Sequence, residues 1–239
     1  MTYIYIKKPA KSKKDRKKKL IIAYSFLSIG AFTLLFTFFP ILKYQIQYAS
    51  RFGKIINPLS NTFYNQSSGS ILGEFSGSDY TQLNNWFNAT PSLSSAETSV
   101  SINTNSYFIS IPSLKIDKAL VKTDTMDLKS SLIQYPQTAF PGQLGNSVIF
   151  GHSVLPQFFN PKSYLTIFST LFKLNKGDEI LIDYDNITYK YAVDDIYEIQ
   201  PDDFSVLEQR YDGRYLTLIT CSPPGTYLRR LVIKTKIMP

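Results

Sequence analysis

Cysteine, histidine and tryptophan are each represented once in this chain of 239 residues, the first two as Cys221 and His152. A single cysteine excludes an internal disulfide framework. One thiol and one imidazole are also too small a donor set for a zinc site. No glycine-rich phosphate loop and no internal repeat is present, so no cofactor is expected. Positive charge is missing over a long stretch, with no Lys or Arg between Lys54 and Lys115. The formal net charge is +8, yet nine of the 26 basic residues lie within residues 1–19 against Asp15 alone, leaving 17 basic and 17 acidic residues elsewhere. A nucleic-acid partner would require a basic face on the folded part, so no nucleic acid is expected.

Charge of either sign is absent from Leu20 to Leu42. At ~1.5 Å per residue that run spans roughly 34 Å, enough to cross a bilayer core as a helix. A cleaved signal peptide is the competing reading. Its apolar part is usually only ~7 to 15 residues long and is followed by a small-residue cleavage site, which is lacking here. The run therefore reads as an uncleaved anchor through the membrane, residues 20–42. The basic cluster before it outnumbers Lys43, Arg51 and Lys54 after it. That bias places the tail, residues 1–19, in the cytoplasm and the body of the protein outside the cell.

Half of residues 57 to 106 are Ser, Thr or Asn. Such composition reads as an extracellular stalk, residues 43–106, rather than as a loop inside a compact fold. One island in it, Tyr80, Leu83, Trp86 and Phe87, has near-helical spacing and is expected to dock as a short amphipathic packing element, with a regulatory lid as the alternative.

From Tyr107 to the end, residues 107–239, short β-rich runs alternate with turns. Strands are predicted at Tyr107–Ile111, Ala119–Lys122, Ser147–Phe150, Glu179–Asp183, Thr188–Ile199, Tyr215–Thr220 and Leu231–Ile237. In the longest, Tyr189, Tyr191, Val193, Tyr197 and Ile199 share one face while Lys190, Asp194 and Glu198 take the other, and Asp195 marks a bend or bulge. Tyr164, Ile167, Phe168 and Leu171 recur at helical spacing and predict a helix over Lys162–Lys173. Many short strands with one helix imply a mainly β fold closed into a barrel.

Cys221 ends an apolar run, and a Pro-Pro-Gly turn leads from it to Arg229 and Arg230. A nucleophilic thiol must ionise, yet only about 3% of a free cysteine is thiolate at pH 7. A base or cation nearby has to raise that fraction or take the proton. His152 is the sole imidazole available, and it follows the apolar run Val148–Gly151, at a strand end rather than mid-core. An arginine supplies donors for the oxyanion that forms when a thiolate attacks a carbonyl. Successive residues of a strand point to opposite faces, so one of Arg229 and Arg230 faces Cys221, and alternation does not choose between them.

The segment TLITC (Thr217–Cys221), followed by an arginine heading the next strand, resembles the TLxTC signature of the sortases, membrane-anchored cysteine transpeptidases of bacterial surfaces. The stretch YPQTAFPGQLGNSVIFGHS (Tyr135–Ser153) is similar to the family's segment leading to its catalytic histidine, and LNKGDEI (Leu174–Ile180) also looks like the family's. The resemblance covers about Tyr107 to Pro239 and implies the eight-stranded sortase-type β-barrel with one or two short helices, preceded by a single transmembrane helix. It implies Cys221 as nucleophile, His152 as its imidazole partner and proton donor, and Arg230 rather than Arg229 as the catalytic cation, with Thr220 lining the substrate groove. The implied reaction is cleavage of a Leu-Pro-x-Thr-Gly-like sorting signal through a thioester on Cys221. Transfer then follows to an amine of a cell-wall precursor or a pilin lysine. The partners would be surface proteins bearing that signal.

The alternative from another class is a catalytically inactive membrane-tethered β-domain that binds surface ligands. Cysteine transpeptidases acting on peptidoglycan usually place the arginine two residues after the cysteine, where this chain has Pro223. The short loop Ser222 to Leu228 assigns no sortase class, and Asp202, Asp203 and Glu208 assign no calcium dependence. The register implied by the resemblance has a direct consequence: Arg230→Ala lowers peptide-transfer turnover far more than Arg229→Ala, and equal losses would show the two arginines to be wrongly assigned.

Overall fold

The computed structural model describes residues 13–52, 79–86 and 106–239. Most of the expected stalk, Phe87 and the start of the basic tail lie outside the described residues. The first described element is a helix, α1 (Lys13–Phe52). Its stretch Lys17–Phe39 is long and apolar enough to cross a membrane. The helix continues past Pro40.

The second unit is a closed barrel of eight strands. They are β1 (Ser106–Ile111), β2 (Ile116–Lys122), β3 (Leu132–Gln134), β4 (Gly145–Phe150), β5 (Glu179–Tyr184), β6 (Ile187–Ile199), β7 (Arg214–Ser222) and β8 (Arg229–Ile237). Around the barrel they run β1-β2-β3-β4-β7-β8-β6-β5. The β2–β3 and β4–β7 pairs are parallel and the remainder antiparallel. Seven strands fall where alternation places them. β3 escaped notice because three residues are too few to show a period.

Alternation sorts the side chains into two clusters. Ile109, Val121, Leu132, Ile149, Ile182, Leu218 and Ile233 fill the barrel interior. Val148, Phe150, Ile219 and Val232 point the other way and are packed under Leu83, Trp86, Leu128 and Val206. Strands β4 and β7 are thus covered on both faces, which is why they read as unbroken apolar runs.

The bulge expected near Asp195 is present as a register shift between Val193 and Asp195 in the β6–β8 ladder. Its effect on the faces differs from the expectation. One extra residue reverses the alternation beyond it. Ile196 therefore packs with the interior beside Tyr191 and Val193, whereas Tyr197 and Ile199 join the outer cluster. Glu198, expected on a solvent face, is buried.

The helix expected over Lys162–Lys173 is instead a string of turns ending in a 3-10 turn, Leu171–Lys173. The helical spacing reported burial correctly, since Ile167, Phe168 and Leu171 are core residues. Hydroxyl side chains compete for the backbone here. Thr166 Oγ1 donates to Asn160 O and accepts from Asn160 N, and Ser169 Oγ accepts from Val154 N. Backbone bonds run from Thr166 N to Ser163 O and from Ser169 N to Thr166 O, the tighter three-residue spacing. Phe168 N, which an α-helix would use internally, donates to His152 O at 3.1 Å. The turn-rich segment thereby holds the chain at the end of β4.

Gly151, where that segment meets β4, has no room for a side chain. A Cβ there would meet Phe168 Cδ2 at 2.3 Å and Leu132 Cδ2 at 2.6 Å, both from packed core residues. Gly151→Ala is expected to destabilise the barrel by about 1–3 kcal/mol through overpacking. A denaturant-unfolding midpoint equal to the parent's would contradict this packing.

Candidate active site

The β7–β8 ladder pairs Cys221 with Arg230 and Ser222 with Arg229. Directly opposed residues on one face of an antiparallel pair have Cβ atoms about 4.5–5.5 Å apart. Cys221 and Arg230 share the outer face with Ile219 and Val232, while Ser222 and Arg229 take the inner one. On that inner side Arg229 Nη1 donates to Glu198 Oε2 at 2.9 Å, so the second arginine is already engaged by a carboxylate.

His152 is brought alongside by its neighbours. Gly151 N donates to Ile219 O at 3.1 Å, and Ser153 Oγ donates to Cys221 O at 3.1 Å. The backbone on both sides of His152 is thus tied to the last residues of β7. Thr220 contributes to the same tie: its hydroxyl donates to Gly151 O at 2.8 Å. By alternation it lies on the face opposite Cys221, so it braces β7 against the end of β4 and its hydroxyl is turned away from the thiol's face.

The segment Asp79–Trp86 covers the outer face. Leu83–Trp86 forms a 3-10 turn with Leu83 and Trp86 buried. Leu83 N donates to Met126 O and Leu128 N to Thr81 O, both at 2.9 Å. The expected packing element therefore docks, as a 3-10 turn rather than an α-helix, and it docks on the candidate site. Arg230 Nη2 donates to Trp86 O, and the guanidinium lies over the Trp86 ring, 5.2 Å from its centroid. Arg230 Nη1 donates to Tyr227 O and Arg229 O, each at 3.1 Å. Tyr80 stacks on Tyr227 with centroids 3.9 Å apart. Cys221 is 1% exposed and His152 7%.

Burial dominates the electrostatics. It pushes the Cys221 thiol up to about 11, against the pull of Arg230 toward the thiolate. At pH 7 that leaves roughly one thiol in 10⁴ ionised, some 300-fold fewer than in a free cysteine. Burial also lowers the His152 imidazole below its ordinary value, with Asp79 pulling weakly the other way. With the segment docked, the thiol and imidazole both rest neutral. Two buried nitrogens, His152 Nδ1 and Arg230 Nε, have no hydrogen-bond partner among the described residues. Both belong to groups that would have to hold or move charge during thiol chemistry.

A lone thiol stands in register with a guanidinium, and the chain on either side of the sole histidine is tied to the same strand end. The sortase-domain family model matches residues 109–238, and the chain belongs to the sortase family, whose members are cysteine transpeptidases. It is 32% identical over 127 residues to sortase A of Bacillus anthracis, covering 52% of this chain and 56% of that protein. It is 27% identical over 118 residues to sortase D of Bacillus subtilis, covering 48% and 53% respectively. The chain thus spans about half the length of these relatives. Among solved structures, a pilus-related sortase C of Group B Streptococcus aligns with TM-score 0.50 and 29% identity over 58% of this chain and 69% of that one. Sortase C-1 of Actinomyces oris aligns with TM-score 0.50 and 27% identity over 58% and 76%.

Sequence reasoning passed over Glu198, Tyr227 and Ser153. Glu198 sat on a face that alternation assigns to solvent, and only the bulge reverses that. Tyr227 and Ser153 lie in loops, where no period distinguishes a site residue from a linker. Trp86, the sole tryptophan, was visible as part of an apolar island but its target was not.

Release of the covering segment should lower the thiol's pKa toward its free value. In the full-length chain in detergent micelles, Trp86→Ala is expected to raise iodoacetamide labelling of Cys221 at pH 7 by about ten- to 300-fold, the upper bound being full recovery of the free thiolate fraction. Labelling of the unaltered chain should climb with pH toward about 11. Equal labelling rates for the two chains at pH 7 would mean that the segment does not control the thiol.

Proposed function

We propose that this chain is a membrane-anchored cysteine transpeptidase that cleaves a Leu-Pro-x-Thr-Gly-like sorting signal and passes the acyl group to an amine. The observation that carries the reading is the placement of Cys221 opposite Arg230 on one face of β7 and β8, with His152 anchored beside them. The Cys221 thiol passes its proton to His152, and the thiolate so formed attacks the Thr carbonyl carbon of the signal. Arg230 donates hydrogen bonds to the oxyanion as it forms, where a fixed cation in a dry site lowers the barrier most. As the C–N bond breaks, His152 in its imidazolium form protonates the departing Gly amine. A thioester remains on Cys221. An incoming amine then attacks that thioester and loses its proton to His152, so the C–S bond breaks, a new amide forms and the thiolate returns.

The acceptor is an amine of a cell-wall precursor or a pilin lysine. The likeness to a sortase described as pilus-related supports the second source, and the family as a whole supports either. The span within α1 would anchor the protein in the cell membrane. The excess of Lys and Arg before that span favours a cytoplasmic N-terminus and an extracellular barrel.

The test is incubation of the full-length chain in detergent micelles with a library of sorting-signal peptides, followed by intact-mass measurement. A mass increase on Cys221 matching the signal cleaved after Thr, discharged by added amine and absent in Cys221→Ala, is the expected result. The absence of any adduct, both in the parent and after release of the Trp86 segment, would favour the tethered binding domain over the enzyme.

A further inference from the structure

We propose that Glu198 is a positioning residue that sets the alignment of Cys221 with Arg230 from the opposite face of the sheet; the inference rests on the transpeptidase reading and adds a residue to it. Glu198 is 24 residues from Ser222 and 31 from Arg229 along the chain, yet its carboxylate joins the two, which are the immediate neighbours of Cys221 and Arg230. Oε1 accepts from Ser222 Oγ at 2.5 Å, and Oε2 accepts from Arg229 Nη1 at 2.9 Å. Ser222 directly follows the thiol and Arg229 directly precedes the guanidinium, and these two are themselves partners in the β7–β8 register. The carboxylate comes from a third strand: in the β6–β8 ladder Glu198 pairs with Leu231 and Ile199 with Arg230.

The geometry makes one bracket across three strand ends. Strand ends fray, because their last residues have ladder neighbours on one side only. Both reactive side chains sit at such ends, where β7 and β8 part into the loop containing Pro223, Pro224 and Gly225. A carboxylate that holds Ser222 and Arg229 on the inner face limits rotation of Cys221 and Arg230 on the outer face, since adjacent side chains of a strand turn together with the backbone. It also occupies the neighbouring cation, so that only Arg230 is offered to the substrate side.

An ion pair with both ends in solvent would not do this; here Glu198 is 3% exposed and only the Arg229 end, with its side chain 41% exposed, reaches solvent. Charge-assisted bonds are shorter and roughly twice as strong as neutral ones, which suits a restraint that must survive at a strand end. The bulge near Asp195 is what turns Glu198 inward, so the irregularity in β6 acquires a purpose at the site.

The test follows acylation of Cys221 in the full-length chain in detergent micelles, by intact mass, over a range of sorting-signal peptide concentrations. Glu198→Gln keeps the size and an acceptor but removes the charge. Its saturating acylation rate is expected to fall about tenfold or more, with the half-saturating concentration within about twofold of the parent and the melting midpoint nearly retained, since small misplacements cost rate rather than binding. Ser222→Ala is expected to show a smaller loss of the same kind and to add less than about twofold in the Glu198→Gln background, because both act through one link. If Glu198→Gln does not fold, Ser222→Ala alone decides: a slowed saturating rate supports the bracket and a parental rate overturns it. A chain that forms no adduct, in the parent and in Trp86→Ala alike, removes the transpeptidase reading and the inference with it. A parent that acylates, beside a Glu198→Gln variant that matches its rate, changes only the half-saturating concentration, or loses rate only in proportion to unfolded protein, overturns the inference alone.

Discussion

The antiparallel ladder between β7 and β8 is the constraint on which the site depends. It sets Cys221 opposite Arg230, and a slip of one residue would face the thiol into the barrel and put Arg229 in its partner's place. The register is held because both faces of the ladder are buried. Leu218 and Ile233 belong to the interior, Ile219 and Val232 to the outer cluster, and a slip would exchange the two sets. Packing at a distance from the thiol therefore decides which cation it meets.

Burying a thiol and a guanidinium together has an electrostatic cost, and the arrangement meets it unevenly. Arg230 is 2% exposed and reaches three carbonyl oxygens, those of Trp86, Tyr227 and Arg229. Such contacts satisfy donors on Nη1 and Nη2 without a counter-charge and leave Nε without a partner among the described residues. Cys221 receives no comparable help, so desolvation outweighs the nearby guanidinium and the thiol stays protonated. One of the three oxygens comes from the covering segment itself. The same segment that desolvates the site thus also supplies part of what stabilises the cation, coupling the docking of Trp86 to the chemistry beneath it.

The turn-rich segment between β4 and β5 shows how local preference yields to a functional contact. Its apolar spacing is helical and its core residues pack as a helix face would. Yet the hydroxyls of Thr166 and Ser169 and the carbonyl of His152 take up backbone groups that an α-helix would keep. The segment accepts a tighter and less regular coil, and in exchange the residue that follows β4 is held in place from a second direction. The bulge in β6 is a similar case: an irregularity at Val193–Asp195 exposes no apolar residue to lasting disadvantage and turns Glu198 toward the strand ends.

Composition and pattern by themselves determined the closed β-rich domain, the long uncharged run in α1, the absence of any rival thiol or imidazole, and the choice of Cys221 and His152 as candidates. Those features are local: alternation, run length and single occurrence are all properties of neighbours along the chain. Tertiary structure alone decided which face Glu198 takes, what Trp86 covers, and why the turns near Phe168 are not a helix. Each of these depends on hydrogen bonds between residues far apart in the chain, such as Phe168 N to His152 O and Arg230 to Trp86 O, which no periodicity records. The separation of the two arginines lies between: family likeness pointed to Arg230, and the β7–β8 register is the physical reason that Arg230 faces the thiol while Arg229 meets Glu198 on the inner face.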